Sequence, residues 1–285
     1  MKPARFDYVA PTTLGAAVEA LAATNGDGKV LAGGQSLLPL LNFRMVRPSV
    51  IIDLNGIKEL SFIEARSDRV VIGALTRHRE IEQSSVIASK LPLMSAAMRH
   101  VAHLAIRNRG TIGGSLSHAD PAAELPMLAV LYDATIVAEG TSGRRRIAAE
   151  EFFVDALTNS LAQDEIVVDV EFPIPQQDGW AFEEVARRFG DFALASLAVL
   201  VKRGASTLEQ ARVAAMGVGD TPLRLRTVEH EVAEMRIDDS LPNRFSELVM
   251  ASVSPNSDLH ASGEYRRQLL GALARRAIIT ALGAR

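Results

Sequence analysis

The sequence predicts an α+β protein, and three observations lead there. Strand-length apolar runs and stretches of helical period are interleaved along the whole chain, without a fixed-period repeat. A linker-like segment, Pro173-Ile174-Pro175-Gln176-Gln177-Asp178-Gly179, separates a further set of strands and helices from what precedes it. With 285 residues the chain can fill two or three compact units. We place these at residues 1–56, 57–175 and 176–285.

In the first unit, Leu14, Ala17, Val18 and Leu21 recur at helical spacing behind a threonine that can cap the start. The turn Asn25-Gly26-Asp27-Gly28 releases Val30-Leu31-Ala32, which reads as a buried strand. Gly33-Gly34-Gln35-Ser36 then leads into a short helix over Leu37–Leu41, with Pro39 in its first turn. Val50–Leu54 is a second buried strand, ended by Asn55-Gly56.

The second unit opens with a hairpin, Leu60–Ile63 and Arg69–Gly73 around Arg66-Ser67-Asp68. One helix is expected from Leu91 to Ile106, with Leu93, Ala97, Val101 and Leu104 on one face and Arg107-Asn108-Arg109-Gly110 as its stop. A glycine turn at Thr111-Ile112-Gly113-Gly114-Ser115 precedes a helix from about Pro121 to Leu131, then strands at Thr135–Val137 and Glu165–Phe172. Beyond the linker, Trp180–Val185, Leu197–Val201 and Arg212–Val218 read as strands. Helices are expected over Leu223–Met235 and Glu264–Leu282, the latter with Leu269, Leu273, Ala277 and Leu282 in one stripe.

Bulk properties narrow the function. A net charge of −3 without a basic block disfavours a nucleic-acid surface. No apolar stretch approaches the ~20 residues that span a bilayer, and Met1–Tyr8 lacks the apolar core of a secretion signal, so a soluble, cytoplasmic protein is expected. Cysteine is absent, which excludes disulfides and any iron–sulfur cluster held by thiolates of this chain. Redox chemistry here needs an organic cofactor.

Ala32-Gly33-Gly34-Gln35-Ser36 lies where a strand meets a helix. Its glycines permit positive φ and close ligand approach, and successive free N–H groups there suit phosphate oxygens. It is neither a Walker loop nor a dinucleotide fingerprint, so by itself it reads equally as structural punctuation. Thr111–Ser115 looks like a second element of the same kind, and two such turns in successive units suit one long ligand between them.

These segments carry a resemblance. Ala32-Gly33-Gly34-Gln35-Ser36-Leu37-Leu38-Pro39-Leu40 and Arg107–Ser115, followed by Ala119-Asp120-Pro121-Ala122-Ala123-Glu124-Leu125-Pro126, closely resemble the FAD-binding medium subunits of the molybdenum hydroxylases, the family of carbon monoxide dehydrogenase and xanthine dehydrogenase. The likeness extends through Arg188-Phe189-Gly190-Asp191-Phe192-Ala193-Leu194-Ala195 to Tyr265-Arg266-Arg267 and Arg275-Arg276-Ala277.

The resemblance implies a two-part FAD-binding fold of the p-cresol methylhydroxylase type followed by a C-terminal α+β domain. It places Ala32, Gly33, Gly34, Gln35 and Ser36 on the FAD pyrophosphate, and Thr111, Ile112, Gly113, Gly114 and Ser115 along the remaining pyrophosphate and ribityl chain. Glu124 falls near the ribityl hydroxyls, and Val101 and Val167 near the isoalloxazine. The chain departs from the family pattern at Ser115, where asparagine is frequent, and at Glu124, where aspartate is usual. Implied partners are a large subunit with the molybdenum cofactor and a small subunit with two [2Fe–2S] clusters, in a dimer of heterotrimers. Electrons from those clusters would leave through FAD to an external acceptor, a role that needs no acid, base or nucleophile of this chain.

Other features read more plainly. His100 and His103 share the expected helix face, but the pattern around them is not that of a metal site. His118 and Asp120 either line the ligand or satisfy local backbone groups. Arg144-Arg145-Arg146 reads as a solvated face, with partner contact as the minority option, and Trp180 as core. Gly190-Asp191-Phe192 forms a tight turn, which the resemblance places near the flavin edge with Phe189 or Phe192 shielding the ring. Rival readings are a self-sufficient flavin-dependent oxidoreductase of the same fold and a non-catalytic module whose glycine turns serve packing. A nucleotide-hydrolysing enzyme is a poor third, since neither turn has a P-loop lysine.

Overall fold

The computed structural model describes residues 2–283. The chain begins with β1 (Asp7–Val9), α1 (Leu14–Ala22), β2 (Gly28–Leu31), α2 (Leu37–Asn42) and β3 (Val50–Asp53). Both strand pairs are parallel, in the order β1-β3-β2. Thr13 caps α1 by accepting the Ala16 N–H, and Leu14, Ala17, Val18 and Leu21 are its buried face, as the periodicity predicts. Because β2 lies at a sheet edge, Val30 and Leu31 are only half-buried, less than their apolar run predicts.

The second segment holds β4 (Ile63–Ala65), β5 (Arg69–Gly73), α3 (His78–Gln83), α4 (Ser85–Lys90), α5 (Pro92–Ala97), α6 (Leu104–Arg107), α7 (Ile112–His118) and α8 (Glu124–Leu131). It continues through β6 (Thr135–Gly140), β7 (Gly143–Ala148), α9 (Ala149–Phe152), β8 (Phe153–Asp155), β9 (Thr158–Asn159) and β10 (Ile166–Pro173). An antiparallel sheet runs β4-β5-β10-β6-β7. A bulge between Val167 and Asp169 reverses the facing of β10. Ile166 and Val168 therefore join the core of the first segment, while Val167, Val170 and Phe172 join the main core under α5, α7 and α8.

The third segment comprises β11 (Gly179–Ala186), β12 (Ala193–Arg203), β13 (Leu208–Met216), β14 (Leu223–Arg224), α10 (Arg226–Val232), α11 (Leu241–Ala251) and α12 (Gly263–Ala281). Its antiparallel sheet runs β11-β12-β13-β14. Every residue of β12 from Ala193 to Val201 is buried, because the sheet is covered on both faces. Ala198 and Leu200 pack into the main core of the preceding segment; Leu197, Val199 and Val201 pack with Leu270, Leu273, Ala277 and Ile278 of α12. Among the described residues no helix is long and apolar enough to cross a membrane.

Several expectations need correction. The single helix expected over 91–106 is two, α5 and α6, separated by a break in which Ala102 takes φ +43°. The buried Arg107 guanidinium holds that break open: its Nη1 donates to the Val101 and Ala102 carbonyls at 2.9 and 2.8 Å, and its Nε to Glu82 at 3.0 Å. Leu104 is consequently exposed rather than on a core face. The buried stripe of α12 is centred on Leu270, Leu273, Ala274, Ala277 and Ile278, leaving Leu269 and Leu282 at its margins. The helix expected over 223–235 starts as strand β14, and α11 had no counterpart in the sequence reading because its mixed polar composition masks its period.

Arg144, Arg145 and Arg146 lie on β7 as exposed residues but are not simply solvated. They pair across the sheet with Glu139, Glu165 and Glu171 respectively. Glu171 accepts from Arg146 and Arg69, both at 2.6 Å, and these hydrogen bonds hold its carboxyl down to about 2 against the cost of burial. In the unfolded chain the same carboxyl titrates near 4.5, so stability present above that pH is lost as pH falls toward 2. Acid unfolding followed by circular dichroism should therefore be shallower over this range in Glu171→Gln than in the parent. Replacing Arg107 by Met strips partners from two carbonyls and Glu82, and should cost about 3 kcal/mol in denaturant unfolding.

Candidate functional site

Residues 32–36 bridge the end of β2 and the start of α2. Gly34 takes φ +74°, a conformation open to glycine at little cost. Gly33 lies directly on the chain leading into the second motif: a Cβ there would sit 2.8 Å from Gly110 Cα and closer still to the Arg109 carbonyl oxygen. Gln35 Nε2 donates to the Gly33 carbonyl at 2.9 Å, which fixes the bend. Among the described residues the N–H groups of Gly33, Gly34, Gln35 and Ser36 have no acceptor. Successive free backbone donors at a glycine bend are the array that, oriented toward one point, binds an anion.

The second motif differs from the turn expected of it. Thr111 caps α7, and its Oγ1 accepts the Gly114 N–H at 3.2 Å. Ile112, Gly113 and Ser115 donate to the carbonyls of Thr76, Ala74 and Thr111. Its N–H groups are thus already used, and its glycines serve close packing. A Cβ on Gly113 would lie 2.6 Å from Ala74 Cβ, and one on Gly114 would face Ala32 Cβ at 3.8 Å. What this motif leaves partly exposed beside the first loop is Gly114 and Ser115 with its hydroxyl, because Thr111, Ile112 and Gly113 are buried.

Two side chains pin the motifs together. Asn55 Nδ2 donates to the Ala32 carbonyl at 2.9 Å; Arg77 Nη2 donates to Asn55 Oδ1 at 2.6 Å and Nη1 to the Arg109 carbonyl. Burial, then the neighbouring Arg109, pulls the Arg77 guanidinium below its ordinary pKa. Arg109 itself is exposed and makes no ion pair among the described residues, leaving positive charge beside the free N–H groups. Asp53 accepts from Tyr8 and Asn55, and these bonds outweigh its burial to keep the carboxyl below its usual value. Under Gly110 lies the buried His78 ring, which burial drives down to about 4, so it is neutral where Arg77 and Arg107 are near.

The remaining residues singled out from sequence are scattered. Val101 and Val167 have 7% and 4% exposure and point into the main core. Asp120 Oδ1 accepts the Ala122 N–H at 2.9 Å, a local backbone bond, and also borders a cavity of about 620 Å³ lined by Arg187, Asp191, Phe192 and Arg266. None of residues 32–36 or 111–115 lines that cavity. Phe189 and Phe192 stand 72% and 65% exposed on the β11–β12 turn, where Gly190 takes φ +82° against the His103 ring. His100 and His103 both fall in the helix break and face different partners, His100 the ring of Phe182 and His103 that of Phe189. Trp180 packs against the main core.

Glu124, the first residue of α8, is pushed up to about 8, first by burial and then by the charge of Glu184. Glu184, on β11, has a side chain only 5% exposed, and its Oε2 is without a hydrogen-bond partner. Its Oε1 lies 3.6 Å from His100 Nδ1. The sequence reading missed Asn55, Arg77 and Glu184. Arg77 had one signal, Glu80 three residues on, whose carboxylate accepts the Arg77 N–H at 2.8 Å as the return half of a capping box. For Asn55 and Glu184 no local pattern marks the role.

Residues 4–175 match the family described as FAD binding domain in molybdopterin dehydrogenase, and residues 180–281 the CO dehydrogenase flavoprotein C-terminal domain. The chain is 41% identical over 283 residues to caffeine dehydrogenase subunit beta of Pseudomonas sp. (strain CBB1), covering 99% of this chain and 96% of that one. It is 39% identical over 285 residues to the nicotine 6-hydroxylase medium subunit of Paenarthrobacter nicotinovorans, covering both in full. A solved carbon monoxide dehydrogenase from Hydrogenophaga pseudoflava superimposes with a TM-score of 0.96 at 34% identity, covering 99% of each chain.

Burial of Glu124 has a consequence for stability. Its carboxyl loses its proton near 4.5 in the unfolded chain and about 8 in the folded one, so the folded state binds more protons between these values. Stability should fall as pH rises from 4.5 to 8, and Glu124→Gln should flatten that decline in melting temperature.

Proposed function

Because the chain belongs to the family of FAD-binding medium subunits of molybdenum hydroxylases, we propose that it seats FAD across its two glycine motifs and works as the electron-transfer subunit of such an oxidoreductase complex. The observation that carries this is the run of unpaired N–H groups from Gly33 to Ser36 beside the free charge of Arg109. That set of donors fits a pyrophosphate, and a side chain at Gly33 would clash with the Arg109 carbonyl and Gly110 and push the loop out of place. Gly114 and Ser115, half-buried, face the rest of the pyrophosphate and the ribityl chain, while the buried Thr111, Ile112 and Gly113 hold them in place from behind. Glu124 lies toward the ribityl hydroxyls, and Val101 and Val167 belong to the core behind the isoalloxazine side.

When bound, FAD supplies the capacity to take electrons singly from iron–sulfur clusters and release them to another acceptor. The chain's own residues position it and set the local charge. Asn55 and Arg77 hold the pyrophosphate seat in shape, and Gly113 lets α7 close on Ala74 so that both motifs share one surface. Phe189 and Phe192, exposed on the β11–β12 turn, are our candidates for shielding the ring from water. The partners are a large subunit with the molybdenum cofactor and a small subunit with two [2Fe–2S] clusters, in a cytoplasmic dimer of heterotrimers. Functional boundaries near residues 56 and 175 divide the two halves of the FAD-binding part from the C-terminal domain.

An absorption spectrum of the co-purified complex, with chromatography of heat-released pigment, tests the reading: intact FAD together with iron–sulfur absorbance is expected. A folded, colourless complex that takes up no added FAD would refute it. Gly33→Ala should weaken FAD binding by about tenfold or more, equivalent to roughly 1.4 kcal/mol, while circular dichroism stays native. Undiminished affinity would remove the pyrophosphate from this loop.

A further inference from the structure

Helix α2 is made of four leucines, a proline and an asparagine, yet it buries only Leu41. Leu38 stands 44% exposed, and just past the helix end Phe43 and Met45 stand 66% and 72% exposed. The chain reverses there at Arg44, φ +57°, and the Met45 N–H returns to the Leu40 carbonyl at 2.9 Å. A helix of this length spans only about 9 Å, so the three side chains lie within short reach of one another. Apolar groups gathered on a surface in this way mark a contact with another molecule. Aromatic, methionine and arginine side chains are also the types enriched at protein interfaces.

The charge around them has one sign. From Ser36 to Ser49 the chain carries Arg44 and Arg47 and no acid, and the N-terminal segment laid against Arg44 adds Lys2. Arg44 Nε donates to the Lys2 carbonyl at 3.2 Å and Arg47 Nε to the Arg44 carbonyl at 3.4 Å, bonds that hold the side chains without neutralising them. None of the three cations has a carboxylate partner among the described residues. On β7, by contrast, each of the three successive arginines is matched by a glutamate.

That imbalance narrows what can cover the patch. A second copy of the chain, meeting it through the same face, would set like charges against each other. An anionic partner fits. Resting on the reading above, we propose that the α2 face docks the small iron–sulfur subunit. Leu38, Phe43 and Met45 form the apolar centre of the contact, and Lys2, Arg44 and Arg47 meet an acidic rim on that partner. Charge and position both favour it over the molybdenum subunit. A [2Fe–2S] cluster, whose thiolates and sulfides outweigh the charge of its irons, makes the protein around it more negative. The patch also adjoins the run of free N–H groups: α2 starts at the residue after Ser36, and a Cβ on Gly34 would lie 3.1 Å from Leu38 Cδ1. Electron tunnelling falls exponentially with distance, so the subunit that delivers electrons must dock close to the cofactor. No such demand falls on the subunit that binds substrate.

The test uses the assembled complex, with Phe43 replaced by a photoreactive benzoyl analogue of phenylalanine, irradiated and then digested for mass spectrometry. Crosslinks to the iron–sulfur subunit are expected. Crosslinks to the molybdenum subunit or to a second copy of this chain, or none at all, overturn the proposal. The same analogue at Met45 serves if position 43 prevents assembly. Arg47→Glu should lower the salt concentration at which this chain leaves the complex in gel filtration, with FAD content unchanged; a parental salt limit overturns the proposal equally. Crosslinking does not need the flavin. A colourless complex that still crosslinks to the cluster-bearing subunit therefore sinks the FAD reading and leaves the docking site, whereas an FAD-containing complex crosslinked elsewhere sinks the docking site alone.

Discussion

The site depends on one backbone-to-backbone contact, Gly33 lying on Arg109 and Gly110. With no side chain between them, a strand end from the first segment and a helix start from the second become one continuous surface. The contact is maintained by polar groups rather than by apolar packing. Asn55 reaches the Ala32 carbonyl, Arg77 reaches Asn55 and the Arg109 carbonyl, and each bond satisfies a group that the close approach would otherwise strand. The neutral His78 ring beneath Gly110 completes the support without adding a positive charge to the two arginines around it. What remains unsatisfied is the row of N–H groups from Gly33 to Ser36.

A second constraint ties the last segment to this surface. β12 is buried on both faces, so its sheet cannot leave the main core without exposing Ala198 and Leu200 on one side while α12 still covers the other. Arg224, 3% exposed, reinforces the joint by donating to the Val130 and Leu131 carbonyls at the end of α8 and by pairing with Asp133 and Glu229. The joint is thus pinned at the end of α8, and the β11–β12 turn leaves Phe189 and Phe192 exposed.

Much of the element order was legible because it rests on local rules. Thr13 before Leu14, Ala17, Val18 and Leu21 is a capped amphipathic helix by composition alone, and the Arg66–Asp68 hairpin follows from its flanking runs. The apolar run Leu197–Val201 announced a strand, although not its start at Ala193 or which two cores would bury it. The helix break was illegible. Residues 91–106 keep helical period throughout, and the interruption is fixed by Arg107 bonding back to Val101 and Ala102 while Glu82, distant in sequence, neutralises it.

By itself the sequence determined that two glycine motifs exist, that this chain has no thiolate for a metal cluster, and which family pattern it carries, since each of these is a matter of residue type and order. Tertiary structure decided that the motifs are unlike: one leaves its N–H groups free, while the other spends them on Ala74, Thr76 and Thr111. It also decided that Glu184 lies beside His100 and that Asn55 and Arg77 brace the loop. The physical reason is that hydrogen-bond satisfaction and desolvation are properties of what surrounds a group. Those surroundings come from segments far apart in the chain, which no local pattern can specify.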